Sequence, residues 1–167
     1  TDATGDWFKG PLMDPIFARA AQLGVPMLIL TGPTRLPDLA AILERHPDLD
    51  VVIDHMADCP IDRPDLIALL VDMARYPRVH VKISHTWSLS RESYPWRDTH
   101  DLVQRVYQAF GPQRIMWGTD WPMCLLKTTY ARTLSVVREE MKFISGDDMP
   151  WVLGETAFKL WPIGLRP

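Results

Sequence analysis

Cysteine is scarce in this sequence, long apolar runs are missing, and neither sign of charge dominates. Only Cys59 and Cys124 occur among 167 residues. They lie far apart and fit no CxxC spacing, which argues against a thiolate zinc cluster or a disulfide framework; two reduced thiols in a cytosolic protein are expected. No apolar run approaches the ~20 residues that cross a bilayer, so no membrane association is expected. The first residues show no basic stretch followed by an apolar one; no secretory signal is expected, and the cytoplasm is the expected compartment. The chain opens on Thr1 rather than Met, so its natural start is expected elsewhere. A formal net charge of -3 speaks against nucleic acid and basic membrane-surface binding. Neither GxGxxG nor GxxxxGK[ST] appears, which removes the main support for dinucleotide or P-loop binding. Internal repeats and low-complexity segments are also missing.

What is present is an alternation of two kinds of segment. Short, β-branched apolar runs occupy residues 25–30, 51–53, 79–83 and 114–117. Stretches with apolar residues three and four apart follow at 36–45, 65–75, 99–110 and 130–144, and another such stretch, 15–23, precedes the first run. Gly24, Pro47, Pro77 and Gly111-Pro112 punctuate the joints. Strand, helix, strand, helix at this spacing predicts parallel βαβ units, whose strands are buried on both faces and therefore nearly continuous in apolar residues. Four strands fit either an open sheet or half of a closed barrel, and periodicity leaves both open. The composition, 47% hydrophobic and 23% charged, fits one globular domain over residues 1–167. Residues 84–98 form a long connection rich in aromatics (Trp87, Tyr94, Trp96), of the kind that more often serves function than spacing.

In α/β barrels the chemistry sits at the carboxyl ends of the strands. Reading those ends gives Asp54-His55, Ser84-His85 and Gly118-Thr119-Asp120. Two histidines and an aspartate at neighbouring strand ends suit a divalent metal, or a general base with its partners. Asp120 is the strongest candidate as base and ligand, against the plainer reading of a turn or helix-capping aspartate. His55 has the competing role of a core histidine, or a structural partner of Asp54. His85 begins the long loop, where solvent exposure competes with substrate contact. His46 and His100 fall in helical segments and read as surface residues, and His80 lies at the wrong end of its strand. Lys82 and Ser84 share one face of the third strand, which predicts an interior lysine in a structural ion pair with Asp54 or Asp120. Arg91, Arg97 and Tyr94 are candidates for a substrate carboxylate and equally plausible as solvent-facing residues.

Three strings then bring a family into view. Gly111-Pro112-Gln113-Arg114-Ile115-Met116-Trp117-Gly118-Thr119-Asp120-Trp121-Pro122 resembles the FGPxRxMWGTDWP signature of the amidohydrolase-related (amidohydrolase 2) family. His46-Pro47-Asp48-Leu49, leading into Val51-Val52-Ile53-Asp54-His55-Met56, is similar to a second family string. Residues 76–84 are similar to its YPNVxVKxS. Order and spacing agree, and the resemblance runs from about residue 14 to residue 161.

The resemblance implies a (β/α)8 TIM barrel of the metal-dependent hydrolase type, with this chain supplying strands five to eight and the N-terminal half absent. It implies hydrolysis of a lactone, ester or amide of a small organic acid, the small-molecule partner being a carboxylic acid derivative. Some relatives instead decarboxylate aromatic or muconate-like acids. Metal-using members hold a divalent ion, here zinc or manganese, with a His-x-His pair on strand one, a His on strand five and an Asp on strand eight. Asp120 matches the eighth-strand Asp, which is ligand and general base, and His55 matches the sixth-strand His as catalytic residue and ligand. His85, Trp87 and Tyr94 are the expected substrate-binding residues. Leu30 stands where the fifth-strand histidine is found in those members. A complete barrel of this kind takes about 250 residues, so a self-associating chain, a homo-oligomer of half-barrels with or without catalysis, is a further expectation.

Overall fold

Four short parallel strands alternate with helices over residues 7–162, the residues described by the computed structural model. The strands are β1 (Met27–Ile29), β2 (Val51–Ile53), β3 (Val79–Ile83) and β4 (Ile115–Trp117). They pair in chain order, β1-β2-β3-β4, all parallel. Met27 lies beside Val51, Val51 beside Val79, and Val81 beside Ile115. Sequential parallel strands with a helix between each pair are one arc of the expected barrel wall.

The helices are α1 (Met13–Leu23), α2 (Leu36–Arg45), α3 (Pro64–Asp72), α4 (Thr86–Leu89), α5 (His100–Phe110), α6 (Tyr130–Ser135) and α7 (Thr156–Leu160). Amphipathic spacing builds the layer they form. α2 buries Leu36, Leu39, Ile42 and Leu43; α5 buries Leu102, Val103, Val106 and Phe110. α3 lies between them and adds Ile67 and Leu70. These side chains meet one face of the sheet, where Ile29, Val51, Ile53, Val79, Val81, Ile83 and Ile115 join the same apolar core. Gly24 ends α1 in the left-handed conformation that a terminal glycine adopts without a Cβ penalty, and its N–H closes the last turn on Ala20 and Ala21 carbonyls.

The opposite face, with Leu28, Val52, His80, Lys82 and Met116, is the concave side of the arc. Val52 and Met116 are buried there, whereas Leu28 and Leu30 at the β1 side stay half exposed. Past β4, Trp121, Leu125 and Leu126 are exposed as well. Both flanks of the arc are therefore apolar and open to solvent among the described residues.

Some element boundaries depart from the periodicity. The run at 25–30 pairs only over Met27–Ile29, since Pro26 has no N–H for a ladder. The stretch at 130–144 stays α-helical only to Ser135, then widens: the Met141 N–H reaches the Val136 carbonyl, five residues back. A second widened turn, Trp151–Glu155, leads into α7; these segments are too short to show a periodic signal. The long connection after β3 is not an open flap. It contains α4, and Trp87 and Trp96 are buried in it. Two surface assignments also need correction: His46 is largely covered and sits 3.0 Å from Asp14, and His100 has a buried Nε2 without a hydrogen-bond partner.

Candidate active site

Three adjacent strands deliver a residue from just past the carboxyl end, the second after β2 and β3 and the third after β4, to one place. His55 follows β2, His85 follows β3 and Asp120 follows β4. Their ligand atoms all lie within 4.8 Å of one another. Asp120 Oδ1 is 3.6 Å from His55 Nε2, and its Oδ2 is 3.4 Å from His85 Nε2. The two imidazole rings lie 4.5 Å apart, centre to centre.

The backbone reaches this arrangement only by leaving the regions that suit L-residues. His55, Met56, Ala57 and Asp58 have φ of 49, 53, 58 and 48°, one short left-handed turn. His85 (φ 66°) and Asp120 (φ 58°) are left-handed too. Non-glycine residues there cost of order 1–2 kcal/mol each, and such strain persists where the surroundings hold it and gathers at functional sites. Burial of Met56 and Ala57, both fully enclosed, holds the first turn in place.

Each histidine has its far nitrogen occupied. His55 Nδ1 is 2.7 Å from Ser84 Oγ, and His85 Nδ1 is 2.9 Å from Asp58 Oδ1. His85 Nε2 thereby faces Asp120, and His55 Nε2 lies between Asp120 and Asp54, whose Oδ2 is 3.3 Å away. Beside them Asp54 accepts the His55 backbone N–H at 3.0 Å and pairs with the Lys82 ammonium. Of the two expected partners for Lys82, the structure selects Asp54, and it leaves Asp120 to the histidines. Gly118 allows this, because a Cβ there would stand 3.0 Å from Lys82 Cδ. Burial is the main influence lowering the His55 pKa below its ordinary value; Lys82 and His85 add to it, while Asp54 and Asp120 oppose it. A neutral imidazole has a lone pair to offer.

These residues fit a divalent cation on their own geometry. Zinc holds N and O ligands at about 2.0–2.2 Å, which separates tetrahedral ligand atoms by about 3.3–3.6 Å. The two Nε2-to-carboxylate distances, 3.6 and 3.4 Å, lie in that range. Three carboxylates, Asp54, Asp58 and Asp120, against the one ammonium of Lys82 leave an excess of negative charge around the two imidazoles for a cation to balance.

The other expected residues separate. Trp87 is at the site, its ring edge-to-face with His85 at 4.7 Å; its buried Nε1 has no hydrogen-bond partner. Tyr94 bonds Ser135 Oγ at 2.8 Å and carries the Arg132 guanidinium over its ring, tying the long connection to α6. Arg91 pairs with Asp62 at 2.6 Å and Arg97 with Glu140 at 2.9 Å. Asp58 was not singled out from the sequence. The sole signal was an aspartate three residues beyond His55 in a non-periodic stretch, and the contact it makes spans 27 residues.

Comparison with known proteins shows the family and the fold. The amidohydrolase family model matches residues 1–163. The chain is 34% identical over 130 residues to an L-fucono-1,5-lactonase of Burkholderia ambifaria, covering 74% of this chain and 44% of that protein. It is 32% identical over 131 residues to a 2-pyrone-4,6-dicarboxylate hydrolase of Comamonas testosteroni, covering 71% and 42%. The chain thus spans less than half the length of these two relatives. A solved Burkholderia multivorans amidohydrolase with bound zinc superposes with a TM-score of 0.84 at 25% identity, over 95% of this chain and 60% of that one.

Proposed function

We propose, for a chain that belongs to the amidohydrolase family, the hydrolysis of a six-membered lactone of a small polar acid at the His55–His85–Asp120 centre. The observation that carries this reading is the convergence of those three side chains, each with its supporting contacts, at the carboxyl ends of adjacent strands. A 1,5-lactone and a 2-pyrone, named for two relatives, are both six-membered cyclic esters.

The Asp120 carboxylate takes a proton from water as the oxygen attacks the lactone carbonyl. The tetrahedral centre collapses with cleavage of the ring C–O bond, and the proton held by Asp120 returns to the departing ring oxygen, giving an open-chain hydroxy acid. His55 and His85, each anchored through Nδ1, hold their Nε2 atoms beside the reacting carbonyl. Trp87 packs against His85 and shields that side from water. His55, His85 and Asp120 are the residues that would hold a divalent cation, which supplies Lewis acidity for the carbonyl when bound. The open apolar flanks of the arc, at Leu28 and Leu30 and at Trp121 and Leu126, support a working form in which further wall elements close the barrel.

The test is acid release from L-fucono-1,5-lactone and from 2-pyrone-4,6-dicarboxylate, with and without added zinc. Turnover that vanishes in Asp120→Asn supports the reading. Equal rates in wild type and that variant remove Asp120 from the mechanism.

A further inference from the structure

The left-handed turn after β2 supplies two things to the centre. It carries His55, and three residues later it carries Asp58, whose carboxylate reaches across to the other histidine. Asp58 is itself held at φ 48°. An ion pair this open to solvent, with side-chain exposures of 44% for Asp58 and 22% for His85, adds little to stability. What the contact does govern is orientation. A carboxylate oxygen 2.9 Å from Nδ1 can only accept there, so it favours the ring proton on that nitrogen and leaves the Nε2 lone pair for a cation. The Trp87 edge bounds the ring on another side, and Nε2 lies 3.4 Å from Asp120 Oδ2.

We propose that Asp58 is a positioning residue that fixes the tautomer and tilt of His85, so that one strained turn sets both histidines of the centre. The proposal rests on the cation-site reading of His55, His85 and Asp120 and extends it by one residue. Carboxylates bonded to the far nitrogen of a ligating histidine typically govern metal affinity by about 10–100-fold.

The experiment measures zinc affinity of the full chain by competition with a chromophoric chelator, for wild type, Asp58→Ala and Asp58→Asn. Asp58→Ala is expected to weaken zinc binding by about 10–100-fold. Asp58→Asn, which keeps an acceptor oxygen, is expected to lose less, and neither variant should change the thermal midpoint appreciably. Wild-type affinity in Asp58→Ala overturns the proposal. If wild type binds no zinc, the cation reading fails, and nitrogen chemical shifts of the His85 ring in the metal-free protein decide the positioning role. A ring protonated on Nδ1 in wild type and on Nε2 in Asp58→Ala sustains it; the same tautomer in both overturns it.

Discussion

His55 and His80 are buried almost equally, at 6% and 7% exposure, and stand at opposite ends of the same sheet. Burial is the leading cause that lowers the pKa of each. Their surroundings differ. At the amino end His80 Nδ1 lies 3.2 Å from the Arg78 carbonyl, Arg78 pairs with Asp50 at 3.0 Å, and Arg114 donates to the carbonyls of Phe110, Ala74 and Tyr76. A cavity of about 650 Å³ opens there, but its histidine, arginines and aspartate are engaged with backbone or with each other. At the carboxyl end His55, His85 and Asp120 face one another on left-handed backbone. A cavity and a buried histidine do not make a site. Polar groups turned toward a common point and away from the backbone do.

That contrast can be broken in order of expected effect. Asp120→Asn should lower lactone turnover by about 10²–10⁴-fold with the thermal transition nearly unchanged, read by initial rates and by calorimetry. A loss of fold instead of turnover would put Asp120 with the structural residues. On the helix-packed face, Leu70→Ala removes a fully buried side chain. It should cost about 2–5 kcal/mol in denaturant unfolding and leave zinc affinity where it was. Zinc affinity falling together with stability would mean that the two faces are not separable.

The amino end can be sharpened by pH. Burial holds the His80 imidazole below its ordinary value of 6.5, so the unfolded chain takes up a proton before the folded one does. Stability is then fully present above about 6.5 and falls as the pH drops below it. His55 and His100 are shifted in the same direction, so all three contribute. The thermal midpoint should decline below that pH, and His80→Gln should reduce the slope; an unchanged slope would remove His80 from the effect. The smallest effect concerns Cys59, fully buried and bonded to the Leu66 carbonyl. Burial, and to a lesser degree Asp58, pushes its thiol up to about 12. It should resist alkylation in the folded chain and react on unfolding, and rapid native labelling by mass spectrometry would contradict that burial.

How much of this was legible in advance depends on the range of each interaction. The strands were readable because a parallel strand covered on both faces needs a run such as Val51-Val52-Ile53, and the helices because α2 and α5 repeat apolar residues at three and four. Their wall-of-a-barrel order followed from the alternation and the resemblance. His55 and Asp120 could be named from their places just past strand ends, and His85 could be placed near them. What was not readable is that Asp58 holds the far nitrogen of His85, or that the connection after β3 folds inward around Trp87 and Trp96.

By itself, then, the sequence determined the four strands and the longer amphipathic helices such as α2 and α5, and which polar residues follow each strand. Those are properties of neighbours a few positions apart. The tertiary structure alone decided that Asp54, not Asp120, takes Lys82, that Asp58 reaches His85, and that four consecutive residues after β2 turn left-handed. Each depends on residues tens of positions distant, or on packing strong enough to hold a backbone conformation that local preference opposes.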